Sequence, residues 1–150
     1  MKLAIGSDHV GYQLKCHMIG YLQNKGFEVT DFGTYSDERC DYPVFGQRVA
    51  NAVKNGEADL GVLICGTGVG ISLAANKTEG IRAVVCSEPY SAMMARAHND
   101  ANIVAFGSRV VGTAVAEQIV DAFLDSSFEG GRHKARVDML SEIEKGVMLS

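Results

Sequence analysis

The stretch Leu60-Gly61-Val62-Leu63-Ile64-Cys65-Gly66-Thr67-Gly68-Val69-Gly70-Ile71 decides the fold. Residues 60–65 form a short apolar run of strand length, with no polar face. Such a run suits a strand covered on both sides, as in a parallel sheet. Three glycines follow at alternate positions, and a helix starting near Val69 would complete a strand–loop–helix unit. The join sets a thiol, Cys65, against a loop whose backbone N–H groups can converge on an anion.

The alternation recurs on either side of this stretch. Short runs, several of them almost wholly apolar, predict strands over residues 2–7, 27–31, 81–86 and 102–106. Between them the apolar spacing is helical. Leu14, Met18 and Leu22 share one face, with Gly26 as a left-handed stop. Asp41 before Tyr42-Pro43 suits a helix start carrying Phe45, Val49 and Val53, ending at Gly56. Ser87 is a candidate cap for a helix through Met94. Val115, Ile119 and Phe123 mark another, and a last helix after Gly130-Gly131 carries Val137, Leu140 and Ile143. Five strands alternating with helices predict an α/β, Rossmann-like three-layer sandwich. It has a five-stranded parallel sheet and right-handed crossovers, in a single domain over residues 1–150 plus a C-terminal helix. Residues 33–40 read as an ordinary long loop.

The chain of 150 residues, with a net charge of −4, is large enough for one well-buried core. The negative balance argues against nucleic acid or an anionic membrane as partner, so any anion site must be a local cluster. No run is long and apolar enough to span a membrane, and the first residues carry no export pattern. Cys16, Cys40, Cys65 and Cys86 form no Cys-x-x-Cys pair and read as reduced thiols, which predicts a cytoplasmic protein.

In parallel sheets ligands bind at the carboxyl ends of the strands. Asp8-His9, the Cys65 loop, Cys86-Ser87-Glu88 and Gly107-Ser108-Arg109 all follow predicted strands and should share one rim. The glycine loop fits no standard phosphate loop, since no Gly-Lys-Ser/Thr follows it. A dinucleotide fingerprint would need glycine where Ile71 stands, although Glu88 lies about 20 residues on, where a ribose-binding acid is expected. A phosphatase-type cysteine loop would need arginine at the same Ile71. What remains is an oxyanion hole beside Cys65, or a packed thiol with no chemistry. A turn that exposes Cys65 near a helix N-terminus would favour its thiolate, whereas Cys16, Cys40 and Cys86 read as inert packed thiols. His17 reads as a mid-helix residue. Asp8, His9 and His98 have no metal-ligand spacing. Arg132 and Arg136 lie one turn apart, with His133 and Lys134 beside them, and can hold a phosphate together. Positive charge at a helix start opposes the helix dipole, which hints at a use.

Several segments taken together closely resemble the family of ribose and galactose phosphate isomerases. They are Ser7-Asp8-His9-Val10-Gly11, Asp41-Tyr42-Pro43, Ile64-Cys65-Gly66-Thr67-Gly68-Val69-Gly70-Ile71-Ser72, Ala74-Ala75-Asn76-Lys77, Gly80-Ile81-Arg82-Ala83, His98-Asn99-Asp100-Ala101-Asn102, Gly107-Ser108-Arg109-Val110-Val111-Gly112 and Glu129-Gly130-Gly131-Arg132-His133. The resemblance implies interconversion of an aldose phosphate and its ketose through a cis-enediolate, without metal or other cofactor. Ribose 5-phosphate, within the pentose phosphate pathway, is the expected substrate. Allose 6-phosphate, galactose 6-phosphate and tetrose phosphates are alternatives, as is a non-catalytic nucleotide- or sugar-phosphate-binding module. The resemblance assigns Cys65 as the base, Thr67 to proton movement between the two oxygens, and the N–H groups of Gly66, Gly68, Val69 and Gly70 to the oxyanion. It gives ring opening to His98 with Asp8, sugar hydroxyls to Tyr42 and Asn99, and phosphate to His9, Arg109, Arg132 and Arg136. It also implies a homodimer or homotetramer whose sites are shared between subunits.

Overall fold

The computed structural model describes residues 1–150 as five strands and six helices. Strands β1 (Lys2–Ser7), β2 (Glu28–Asp31), β3 (Leu60–Cys65), β4 (Ala83–Val85) and β5 (Ile103–Gly107) form one all-parallel sheet, ordered β2-β1-β3-β5-β4. The helices are α1 (Tyr12–Asn24), α2 (Tyr42–Lys54), α3 (Val69–Ala75), α4 (Pro89–Asn99), α5 (Thr113–Leu124) and α6 (Arg132–Glu144). Strands β1, β3 and β5, buried along their whole length apart from Lys2, occupy the centre, where both faces are covered.

Alternate strand residues divide the core in two. Leu3, Ile5, Val62, Ile64, Val104 and Phe106 pack with Met18, Leu22, Ala92, Ile119 and Phe123, so α1, α4 and α5 cover one face. Ala4, Leu63, Cys65, Ile103 and Ala105 pack with Phe45, Val49, Ile71 and Ala75, so α2 and α3 cover the other. The chain therefore leaves β3 toward one face and leaves β1 and β5, its two neighbours, toward the opposite face. Adjacent connections that diverge in this way open a crevice at the carboxyl ends of the strands. Register brings those ends level, with Ser7 opposite Ile64 and Cys65 opposite Gly107.

Several local expectations change. The predicted strand over residues 81–86 shortens to Ala83–Val85 because β4 is an edge, where Val85 is half-exposed. Glu88, not Ser87, caps α4: its carboxylate accepts from the Ser91 N–H (2.9 Å), with Pro89 in the first turn. The helix runs on past Met94 to Asn99. Asp41 stands at the start of α2 but makes no side-chain cap. Of the apolar residues expected to seat α6, only Val137 is buried; Leu140 and Ile143 are exposed. Cys16 is exposed rather than packed.

The loop over residues 33–40 is no loose connection. The Ser7 N–H donates to the Gly33 carbonyl and the Thr34 N–H donates to the Ser7 carbonyl, both at 2.8 Å. The wholly buried Lys15 ammonium donates to the Thr34 carbonyl (2.6 Å) and to the Asp31 carboxylate, as a buried charge requires.

Candidate active site

The end of β3 supplies the centre of the crevice. Cys65 is 5% exposed, so the expectation that the turn exposes it is corrected. The loop folds back over the sulfur, and the Gly68 N–H donates to Sγ at 3.1 Å. Two contacts hold the loop in this position. Gly68 has φ +80, and a Cβ there would lie 2.8 Å from the Phe106 backbone. A Cβ on Gly107 would lie 2.6 Å from the Gly66 carbonyl oxygen. The Ser108 and Arg109 N–H groups donate to the Cys65 and Gly66 carbonyls (2.9 and 3.1 Å), pinning the loop to the end of β5.

Gly68→Ala should therefore both strain the backbone and overpack the contact with β5. The expected loss is about 2–5 kcal/mol, a fall of about 4 °C or more in melting temperature. A thermal melt matching the parent would refute this account of the loop.

The N–H inventory refines the expected oxyanion hole. The Gly68 N–H is taken by Cys65 Sγ, and the Val69 N–H donates to Thr67 Oγ1 (3.2 Å). The N–H groups of Gly66, Thr67, Gly70 and Ile71 make no hydrogen bond within the chain. Those of Gly70 and Ile71 belong to the first turn of α3, where helical N–H groups have no partner. The hydroxyl end of the Tyr42 ring packs against the loop, its Cζ 2.8 Å from where a Cβ on Gly70 would stand.

Other expected residues flank this loop. Asp8, nearly buried at the end of β1, accepts the Gly11 N–H at 3.0 Å. The Cys40 N–H donates to His9 Nδ1 (3.3 Å), which leaves Nε2 to carry the proton of a neutral ring. The Arg109 side chain passes close to Gly66 and lines a cavity of about 510 Å³ between the starts of α1 and α5. Cys86, by contrast, is a buried thiol pushed up to about 11 by burial and then by the Glu88 charge, and it stays protonated at neutral pH.

The remaining candidates stand elsewhere. His98 and Asn99 end α4, which starts beyond the carboxyl end of β4 and finishes before the amino end of β5. Eleven residues of helix carry the chain about 16 Å, so His98 lies at the end of the sheet opposite Cys65. There His98, Asn99, Arg132, His133 and Arg136 line a polar cleft of about 380 Å³. Arg96 and Arg82 hold the turn that ends α4, pairing with Asp100 at 3.0 and 3.2 Å, and Asp100 takes a left-handed conformation (φ +49). Within one chain the structure thus brings Asp8, His9, Tyr42, Cys65, Thr67 and Arg109 together around the loop. It sets His98, Asn99, Arg132 and Arg136 apart from them. Glu129 and His133 also belong to the second cluster. Their i,i+4 spacing was the available sign, but only the fold shows that His98 joins them.

Comparison with known proteins gives one consistent answer. The family described as Ribose/Galactose Isomerase matches residues 3–140. Ribose-5-phosphate isomerase B of Escherichia coli K12 is 59% identical over 144 residues, covering 96% of this chain and 97% of that protein. The solved structure of Clostridium thermocellum ribose-5-phosphate isomerase B superimposes with a TM-score of 0.96 at 57% identity, covering 97% of this chain and 99% of that one. That of Mycoplasma genitalium ribose-5-phosphate isomerase B with bound ribulose-5-phosphate does so with a TM-score of 0.91 at 44% identity, covering 97% of each chain.

Proposed function

This chain belongs to the ribose/galactose isomerase family and is an aldose–ketose isomerase of sugar phosphates, and from that premise we propose that it interconverts ribose 5-phosphate and ribulose 5-phosphate. The observation that carries the reading is the β3 loop, where a sulfur and a row of unpartnered N–H groups share one crevice. Aldose–ketose isomerisation needs this pairing. A base removes the C2 proton while donors take up charge on the neighbouring oxygen.

In the proposed mechanism Cys65 Sγ, as thiolate, takes the proton from C2 of the open-chain aldose and returns it to C1 of the cis-enediolate. The N–H groups of Gly66, Thr67, Gly70 and Ile71 face the oxyanion. The Thr67 hydroxyl relays the proton between O2 and O1. Tyr42 and Asn99 bind sugar hydroxyls. His9 and Arg109 hold the phosphate from one side, Arg132 and Arg136 from the other, and His98 opens the ring with help from Asp8. The reaction is redox-neutral within the sugar, so it needs no external oxidant or reductant. Because His98 and the α6 arginines stand at the far end of the sheet, each site is completed by a second copy of the chain, in a dimer or tetramer. We place the enzyme in the cytoplasm, within the pentose phosphate pathway.

The test is a coupled isomerisation assay over ribose 5-phosphate, allose 6-phosphate, galactose 6-phosphate and a tetrose phosphate. The highest kcat/KM is expected on ribose 5-phosphate; a higher value on any other sugar overturns the substrate assignment. In the same assay Arg136→Ala should raise KM by about 10–100-fold, the value of a charged hydrogen bond of about 1.5–3 kcal/mol. An equal loss with unphosphorylated sugars would show that Arg136 binds no phosphate.

A further inference from the structure

His98, Glu129 and His133 form a group that the mechanism above does not use as a unit. The two imidazoles stack with ring centroids 4.1 Å apart, at 10° between planes. Each Nε2 lies 3.7 Å from a different oxygen of the single Glu129 carboxylate. None of these contacts is a hydrogen bond; the two nitrogens and the carboxylate face one another across a gap. One ligand atom from each residue lies within 4.8 Å of the others.

We propose that this cleft is a binding site for a transition-metal dication of the zinc type, held by His98 Nε2, His133 Nε2 and the Glu129 carboxylate. Two imidazoles and a carboxylate form a donor set suited to zinc, cobalt or nickel. At metal–ligand bonds of about 2.0–2.2 Å, tetrahedral ligand atoms lie about 3.4 Å apart. The ligand atoms are near enough to share one ion once the two stacked rings tilt out of parallel so that both Nε2 lone pairs meet it, and Glu129, 56% exposed, is free to follow. Arg132 and Arg136 line the same cleft and work against a dication. The Glu129 charge offsets them in part, and an anion drawn by the arginines can complete the shell. The site is inhibitory: a metal on His98 Nε2 removes the group assigned to ring opening, a consequence that rests on that assignment while metal binding itself does not.

The test uses the full-length protein, free of any polyhistidine tag, titrated with Zn²⁺ by calorimetry and with Co²⁺ by absorption. One ion per chain is expected. The Co²⁺ form should show visible ligand-field bands without the near-ultraviolet band of a cobalt–thiolate bond. His133→Ala and Glu129→Gln should each weaken Zn²⁺ by more than about 10-fold, the least that even an outer hydrogen-bonding partner of a metal site contributes. Cys65→Ser should bind as the parent does. A cobalt–thiolate band, unchanged affinity in both variants, or no saturable binding overturns the site. Zn²⁺ should also slow turnover of ribose 5-phosphate, reversibly by chelation. Stoichiometric binding at this site with full turnover would keep the metal site and remove ring opening from His98, which separates the two assignments.

Discussion

Cys65→Ala is expected to lower kcat on ribose 5-phosphate by at least about 10²–10⁴-fold, the contribution of a positioned general base, with little change in KM. The fold should survive. Cys65 fills a tight place between the core and the loop, so its loss costs a small cavity, yet the backbone bonds that pin the loop to β5 do not involve the thiol. Only the Gly68 N–H loses its acceptor, and it then joins the other unpartnered N–H groups facing the crevice. Far-ultraviolet circular dichroism, a melt and the binding of a non-reactive sugar phosphate check these points beside the coupled assay. Cys65→Ser separates acidity from packing: the hydroxyl is only slightly smaller and still offers the Gly68 N–H an acceptor, but it is a far weaker acid, so activity should stay low. Near-parental turnover in either variant would remove Cys65 from the role of base.

The fold could be read because its elements state themselves locally. The runs at Leu3–Gly6 and Leu60–Cys65 carry no polar side chain, and both lie in central strands of a parallel sheet. Strand order was not legible, because it is decided by which face each helix packs on. That in turn hid the edge position of β4, where a predicted strand of six residues, interrupted by Arg82, yields a strand of only three. The cap of α4 was in principle available. Proline is tolerated in the first helical turn, so Pro89 marks Glu88 as the residue before the helix, and Ser87 lies one place too early.

The site was legible in its residue types and illegible in its closure. Rim topology alone placed Asp8, His9, Cys65 and Arg109 near one another, since all follow central strands. That Cys65 is covered follows from long-range contacts instead. Gly68 and Gly107 let the loop press onto the end of β5, and neither contact has a local sequence sign. The bonds of Cys40 to His9 and of Thr34 to Lys15 likewise tie a featureless loop to the site across more than a dozen residues. For His98 the reverse holds. Its place at the end of α4 follows from the alternation of strands and helices, and that place is enough to separate it from Cys65.

This separation leads to the largest qualitative effect expected of the protein. Cys65→Ala removes the base from the rim, and the double change Arg132→Ala with Arg136→Ala removes two phosphate donors from the far cleft. Each variant alone should be nearly inactive at low substrate concentration, because every site in a uniform assembly lacks one half. Co-expression from two tags changes this. In a mixed two-fold pair one site receives both damaged halves and the other receives neither. With random pairing half the pairs are mixed, so about a quarter of all sites regain parental turnover. Purification through both tags in succession should raise this to about half. If the whole site lay within one chain, every chain in the mixture would still carry a lesion. Activity would then stay at the level of the separate variants however the chains were combined. A mixed preparation with no recovery, from chains shown by the two tags to be associated, would therefore rule out a site shared between two subunits.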